Sequence, residues 1–158
     1  MTERTITEIE VALAGYFDWT RNLIVFNVTG LSTLMNHECD MLILSKTGYL
    51  TEIEIKRTWS DFLNDFKKKH HHESDIIKSF YYCVPLSLKD KVSEYITANK
   101  IQCNGIITYS EDLMLKTSNI FTSNFRKYRK LFLEEKFELA RLGAMRVIPM
   151  KQKYQKLK

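Results

Sequence analysis

The chain has 158 residues, of which 44% are hydrophobic, 12% aromatic and 27% charged, and its net charge is +5. This length and composition predict one globular domain with a sizeable core and exclude a largely disordered chain. No apolar run approaches the ~20 residues of a membrane span, and the first ten residues are too charged for a secretory signal. We therefore expect a cytoplasmic protein that does not contact a membrane.

The first element is a predicted helix over residues 5–18. Its apolar residues recur at steps of three and four and form one stripe, which is typical of a helix that packs on a core. At 100° per residue, Glu10 lies beside that stripe, whereas Glu8 points nearly opposite. An acid at the edge of a buried face is less common than one in solvent, so Glu10 is a candidate functional residue.

Strands and helices then alternate along the rest of the chain. Runs rich in β-branched and aromatic residues predict strands over residues 23–28, 39–45, 49–56, 78–84 and 102–109. The second and third strands are joined by a tight turn at Gly48, which predicts an antiparallel hairpin. Helices are expected from Ser60, as N-cap, over residues 87–98, and from Ser123 to about Leu142.

This order, αβββαβαβ with an extra C-terminal helix, predicts an α/β protein with a mixed sheet of about five strands flanked by helices. We expect a single domain over residues 1–142, followed by a basic tail over residues 143–158. From residue 126 onward the chain carries eleven lysines and arginines against three glutamates. Contacts with phosphate supply most non-specific affinity for nucleic acid, so this charge favours DNA as a partner; the alternative is that it serves solubility alone.

The segment EIEIK, residues 52–56, alternates ionisable and aliphatic side chains. In a strand, Glu52, Glu54 and Lys56 share one face. If the hairpin pairs around Gly48, Asp40 approaches Glu54 across the ladder. Two converging carboxylates repel each other unless a cation lies between them, and Mg²⁺ prefers oxygen ligands. Lys56 would then stand next to the metal, where it could orient or deprotonate a water or neutralise a phosphate.

Other charged residues near this segment have more than one interpretation. Glu38 and Glu52 are either ligands of a second metal or a solvated strand edge. Lys67 and Lys69, on the helix that follows, are candidates for phosphate contact or for a solvated helix end. The two acids of that helix, Asp61 and Asp65, share one helix face; they are expected to cap the helix or to offset Lys69, and a catalytic role is the alternative.

This arrangement resembles the PD-(D/E)XK nuclease superfamily: an acidic first helix is followed by a hairpin with Asp40 on one strand and Glu54-Ile55-Lys56 on the next. The segments HECDMLILSKTGYLTEIEIKRTWSDFLNDFKKKH and FYYCVP are similar to its MmcB-like DNA-repair branch. The resemblance covers residues 7–108. One departure is Cys39, which stands where the motif that names the superfamily has proline.

The resemblance implies a restriction-endonuclease-like core and a nuclease that hydrolyses DNA phosphodiester bonds with Mg²⁺ or Mn²⁺. It implies that Asp40, Glu54 and the Ile55 carbonyl bind the metal and that Lys56 is the catalytic lysine, facing a cleft. The family often adds a glutamate from the first helix, here Glu10, with Glu8 as the alternative.

Further expectations concern DNA contacts, assembly and setting. The predicted DNA contacts are Lys67, Lys69, Arg126 and Arg129. A homodimer is compatible with this function. The biological setting implied by the resemblance is DNA repair or the processing of phage or mobile-element DNA. The alternative function is a non-catalytic nucleic-acid-binding module on the same fold.

Overall fold

The computed structural model describes residues 4–29, 35, 37–67, 74–120 and 128–155. Its helices are α1 (Ile6–Tyr16), α2 (Trp59–Asp65), α3 (Lys89–Ala98) and α4 (Leu133–Gln155), and a short 3₁₀ helix (Leu86–Leu88) precedes α3. Its strands are β1 (Leu23–Val28), β2 (Cys39–Leu44), β3 (Leu50–Ile55), β4 (Ile77–Pro85), β5 (Gly105–Tyr109) and β6 (Leu115–Asn119). The predicted α/β class is therefore confirmed within the described residues.

The six strands form one open sheet in which the spatial order is the order along the chain. Strand β2 is antiparallel to both β1 and β3, and β4 is parallel to both β3 and β5. Strand β6 is antiparallel to β5. The predicted mixed sheet and hairpin are confirmed, and the turn glycine, Gly48, has a φ of 87°. The prediction of about five strands missed β6, because its sequence, LKTSN, is polar and mostly exposed at the sheet edge.

The two faces of the sheet carry separate hydrophobic cores. On one face α1, alone among the described helices, packs through Ile9 and Leu13 against the odd-numbered aliphatic residues of β2 and β3. Helices α2, α3 and α4 cover the other face, where Phe62 is fully buried. Among the helices of the described ranges, none is both long and apolar enough to cross a bilayer.

Local capping explains where the first two helices begin. The Thr5 hydroxyl accepts from the Glu8 backbone N–H while the Glu8 carboxylate accepts from the Thr5 N–H, which is a capping box. Helix α2 begins at Trp59, because the Thr58 hydroxyl accepts from the Asp61 N–H at 3.1 Å. The expectation that Ser60 is the N-cap was therefore wrong by two residues.

The C-terminal helix differs most from expectation. Helix α4 starts at Leu133 and runs to Gln155, so it begins and ends later than the helix predicted from Ser123 to about Leu142. A Cβ on Gly143 would lie 3.3 Å from the Val25 side chain, so this glycine lets α4 approach β1 closely. Arg146 donates to the Asn27 carbonyl at 2.6 Å and holds the second half of the helix on the sheet.

Candidate active site at the ends of strands β2 and β3

Asp40 lies at the start of β2 and reaches the third strand. The ladder pairs Met41 with Ile53, so Asp40 continues the register opposite Glu54. Its Oδ2 accepts a hydrogen bond from the Ile55 backbone N–H at 2.7 Å. The structure thus brings Asp40 to the segment that carries Glu54 and Lys56, as the hairpin register predicted.

The neighbouring strand is irregular beside Asp40. The β1–β2 ladder pairs Phe26 with Met41 and Val28 with Cys39, and Asn27 between them has a φ of 49°. Asparagine adopts this left-handed conformation more readily than most residues. Its side-chain amide donates to Glu10 Oε1 at 3.1 Å, so the irregular residue links the sheet to helix α1.

Glu10 is the acid of the first helix that lies near Asp40. Burial raises its pKa and the negative charge of Asp40 raises it further, although the hydrogen bond from Asn27 opposes both effects. Glu8 is in a different environment, since hydrogen bonds from Thr5 and from Arg4 lower its pKa. Of the two glutamates, Glu10 is therefore the one that lies near Asp40.

Glu54 and Lys56 form a buried ion pair rather than the wall of an open cleft. Lys56 Nζ lies 2.7 Å from Glu54 Oε2 and 2.9 Å from Asp65 Oδ1, while the Tyr82 hydroxyl donates to Asp65 Oδ2 at 3.2 Å. Glu54 is 2% exposed and Lys56 is 5% exposed. The expectation of an exposed face does not hold, because β3 lies inside the sheet and α2 covers this face.

Lys56 is an ammonium at neutral pH. Burial disfavours its charged form, but the charges of Glu54 and Asp65 and their hydrogen bonds outweigh burial and raise its pKa above the ordinary value. A lysine in this state can neutralise a phosphate but cannot take a proton from water. Of the three roles considered for Lys56, deprotonating a water does not fit a lysine in this state, whereas orienting a water and neutralising a phosphate do.

A second buried polar pair lies on the same face of β3. His37 Nε2 is 3.0 and 3.1 Å from the two carboxylate oxygens of Glu52, whose exposure is 0%. Glu52 is thus no solvated strand edge, whereas Glu38 is exposed. Cys39 is also buried here, and burial together with the nearby acids raises the pKa of its thiol far above the ordinary value.

Sequence reasoning undervalued Asp65 and Tyr82. Asp65 was expected to cap α2 or to offset Lys69, yet it is buried against Lys56. A signal was present, because Asp65 follows Phe62 by three residues and so belongs to the apolar stripe of its helix. The same stripe argument singled out Glu10. Tyr82 lies in a strand with an apolar sequence, and that sequence gives no sign of its contact with Asp65.

The predicted DNA contacts are dispersed. Lys67 is exposed and donates to the Asn64 side chain at 2.9 Å. Arg129 is held by Glu135 at 2.6 Å and lies 3.6 Å from Asp75, beside the turn that opens β3. That turn is about 17 Å from the other end of the six-residue strand. Lys69 and Arg126 lie outside the described residues.

The donor chemistry of the site suits a hard cation. Within the described ranges, no group of three or more histidine, cysteine or acidic residues could hold a metal. Mg²⁺, however, commonly takes one or two protein carboxylates and completes its shell with water and phosphate. Burial and, to a smaller extent, the negative charge of Asp40 raise the pKa of Glu10, and a cation bound between the two carboxylates would offset the repulsion between them. Asp40 and Glu10 are the neighbouring carboxylates of this site that could hold such a cation.

Comparisons with known proteins bear on the fold. No protein-family model matches this chain, and no curated protein matches its sequence. Among solved structures, the chain is similar to the SPO1766 protein of unknown function from Silicibacter pomeroyi. The TM-score is 0.61 at 12% identity, over 98% of this chain and 94% of that protein. At this identity the likeness shows the fold alone, an α/β architecture with an open mixed sheet.

Proposed function

We propose that this protein is a cytoplasmic, Mg²⁺- or Mn²⁺-dependent DNA nuclease of the PD-(D/E)XK type, with a restriction-endonuclease-like core. The observation that carries the proposal is the hydrogen bond from the Ile55 N–H to Asp40. This hydrogen bond joins Asp40 to β3 at the residue between Glu54 and Lys56. The charge of Asp40 also raises the pKa of Glu10. Asp40 therefore contacts the strand that carries Glu54 and Lys56, and it lies close enough to Glu10 for the two charges to interact.

Each residue would have a distinct task. Asp40, with Glu10 or Glu54, would hold the metal, and the Ile55 carbonyl is the further ligand that the resemblance implies. A bound divalent metal supplies an activated water and neutralises charge on the phosphate. Lys56 would stabilise the negative charge that develops on the phosphate as the bond breaks.

Asp65 and Tyr82 would act through Lys56 as positioning residues. Asp65 accepts from the lysine ammonium with one oxygen and from the Tyr82 hydroxyl with the other. This double contact fixes the carboxylate and so limits the rotamers open to Lys56. For catalysis, the substrate phosphate would have to replace Glu54 or Asp65 as a partner of the Lys56 ammonium. The setting implied by the resemblance is DNA repair or the processing of phage or mobile-element DNA.

One observation favours the second candidate, a non-catalytic nucleic-acid-binding module. The side chains of Glu54 and Lys56 are 2% and 6% exposed and lie 2.7 Å apart, and a buried ion pair that serves only the fold would have the same geometry. The basic C-terminal end would then supply the affinity for DNA.

Metal binding separates the two candidates. We would titrate Mn²⁺ and Mg²⁺ by calorimetry into the wild type, Asp40→Asn and, as control, Asp112→Asn, an exposed acid on the turn before β6. The nuclease predicts binding that is lost in Asp40→Asn alone. The module predicts no binding of the divalent metals in any of the three proteins, together with a DNA affinity that falls steeply with salt.

A further inference from the structure

The outward face of α4 carries a row of exposed apolar side chains. We call it the α4 seam: Leu133, Phe137, Ala140, Ala144, Val147 and Ile148, all of which are exposed. Leu133 is 78%, Phe137 66% and Ile148 58% exposed. The first five follow each other at steps of four, three, four and three residues, which is the spacing of a coiled-coil seam.

The side of α4 that packs on the sheet is a different one. Leu139 is fully buried, and Gly143 and Arg146 meet β1. At 100° per residue, most of the seam lies about 120–180° around the helix from Leu139, and its flank at Ala140 and Val147 lies about 80–100° from it. Helix α4 therefore has one apolar stripe that the fold uses and a second that, within the described residues, faces solvent.

The charges of α4 select the orientation of a partner helix. Residues 133–143 carry three acids and two basic residues, which is a net charge of −1, whereas residues 144–155 carry three basic residues and no acid. In a parallel pair of α4 helices, the two halves with a net charge of +3 would lie side by side and repel each other. In an antiparallel pair, the half with a net charge of −1 would lie beside the half with a net charge of +3, and the antiparallel helix dipoles would also attract each other.

We propose that the α4 seam is the interface of a homodimer in which two α4 helices pack antiparallel, with the twofold axis between Ala140 and Ala144. The small side chains at these two positions let the helix axes approach closely at the crossing. The proposal is independent of the nuclease, since the seam lies on neither the hairpin nor α1. A surface patch that contacts its own copy forms a closed, isologous dimer.

The size of the seam sets the expected strength. A 23-residue helix is about 35 Å long and 10–12 Å wide, so one face covers about 400 Å². Stable interfaces bury about 800 Å² per partner. The dimer should therefore be reversible, with the monomer dominant in dilute solution and the dimer dominant only at high protein concentration.

Sedimentation equilibrium over a wide range of concentration tests the seam. We expect the wild type to dimerise reversibly and Phe137→Lys to weaken association at least tenfold. Met114→Lys is the matched control, because Met114 is also 66% exposed but lies on the turn before β6. The proposal would be overturned if the wild type stayed monomeric at every concentration, or if Phe137→Lys associated as strongly as the wild type. Binding of the seam to lipid vesicles or to another protein would not rescue it.

Cross-linking tests the antiparallel orientation. In the proposed dimer Ala144→Cys lies next to its own copy, whereas two copies of Leu133→Cys are about 27 Å apart along the axis. A short bis-maleimide should link Ala144→Cys and leave Leu133→Cys unlinked. The native cysteines are buried and give a low background. Linking of both variants would indicate parallel helices, and linking of neither would indicate that the seams do not meet.

Discussion

Replacing Lys56 by methionine should destabilise the protein strongly. The change removes the cation between Glu54 and Asp65, whose side chains are 2% and 1% exposed, and leaves both carboxylates buried without it. Breaking a buried ion pair in this way costs about 3–5 kcal/mol. For a chain of this length, 1 kcal/mol corresponds to about 2–4 °C in Tm. We therefore expect Tm to fall by about 6–20 °C.

A matched control keeps this result interpretable. Lys116 lies on β6 and is exposed, so Lys116→Met should change the free energy of unfolding by no more than about 0.5 kcal/mol. A triple variant, Lys56→Met with Glu54→Gln and Asp65→Asn, removes the charges together and should recover much of the loss. If Lys56→Met were as stable as Lys116→Met in urea unfolding, the ion pair could not have the energetic role assigned to it.

The pH dependence gives a second readout. In the wild type the pKa of Lys56 is raised on folding, so its stabilisation is complete below the unfolded value of about 10.4 and is lost as pH rises through the folded value. In Lys56→Met the buried carboxylates bind protons more readily than in the unfolded chain. The deficit of the variant should therefore shrink as pH falls from about 8 to about 5. A deficit that is constant over this range would contradict the electrostatic explanation.

Two further predictions concern packing and the acids of the site. Gly105→Ala should destabilise the protein by more than about 2 kcal/mol, because the added Cβ would meet the backbone of β6. Gly15→Ala, on α1 with open space around it, should stabilise the protein by about 0.5–1 kcal/mol. Urea unfolding of the two variants measures both changes. In Asp40→Asn the pKa of Glu10, followed by carbon NMR, should move partly back towards its ordinary value, since burial remains while the charge is gone. An unchanged pKa would show that the two carboxyl groups do not interact.

Local patterns predicted most of the sheet. Strand β1 has the bounds expected from its composition, and the turn at Gly48 fixed the register that puts Asp40 opposite Glu54. Both are short-range properties, in which β propensity, turn chemistry and the alternation of side chains agree. The edge strand β6 was missed because an exposed edge needs few of the residues that mark a strand.

The burial of the site could not be predicted in this way. The alternation in EIEIK is the same whether Glu54 and Lys56 face water or a helix. What decides is the packing of α2 and β4, which brings Asp65, 9 residues further along, against Lys56 and places Tyr82, 26 residues further along, against Asp65. The continuation of α4 past residue 142 depends likewise on a distant contact, that of Gly143 with β1.

The most direct test of the proposed nuclease is cleavage of labelled single-stranded, duplex, forked and four-way DNA with Mg²⁺, Mn²⁺ or EDTA. The wild type would be compared with Asp40→Asn, which keeps an oxygen that can accept from the Ile55 N–H, and with the Asp112→Asn control. We predict metal-dependent cleavage by the wild type and the control, and a rate at least about 100-fold lower in Asp40→Asn. Undiminished cleavage in Asp40→Asn, or no cleavage of any of these substrates by the wild type, would contradict the assignment.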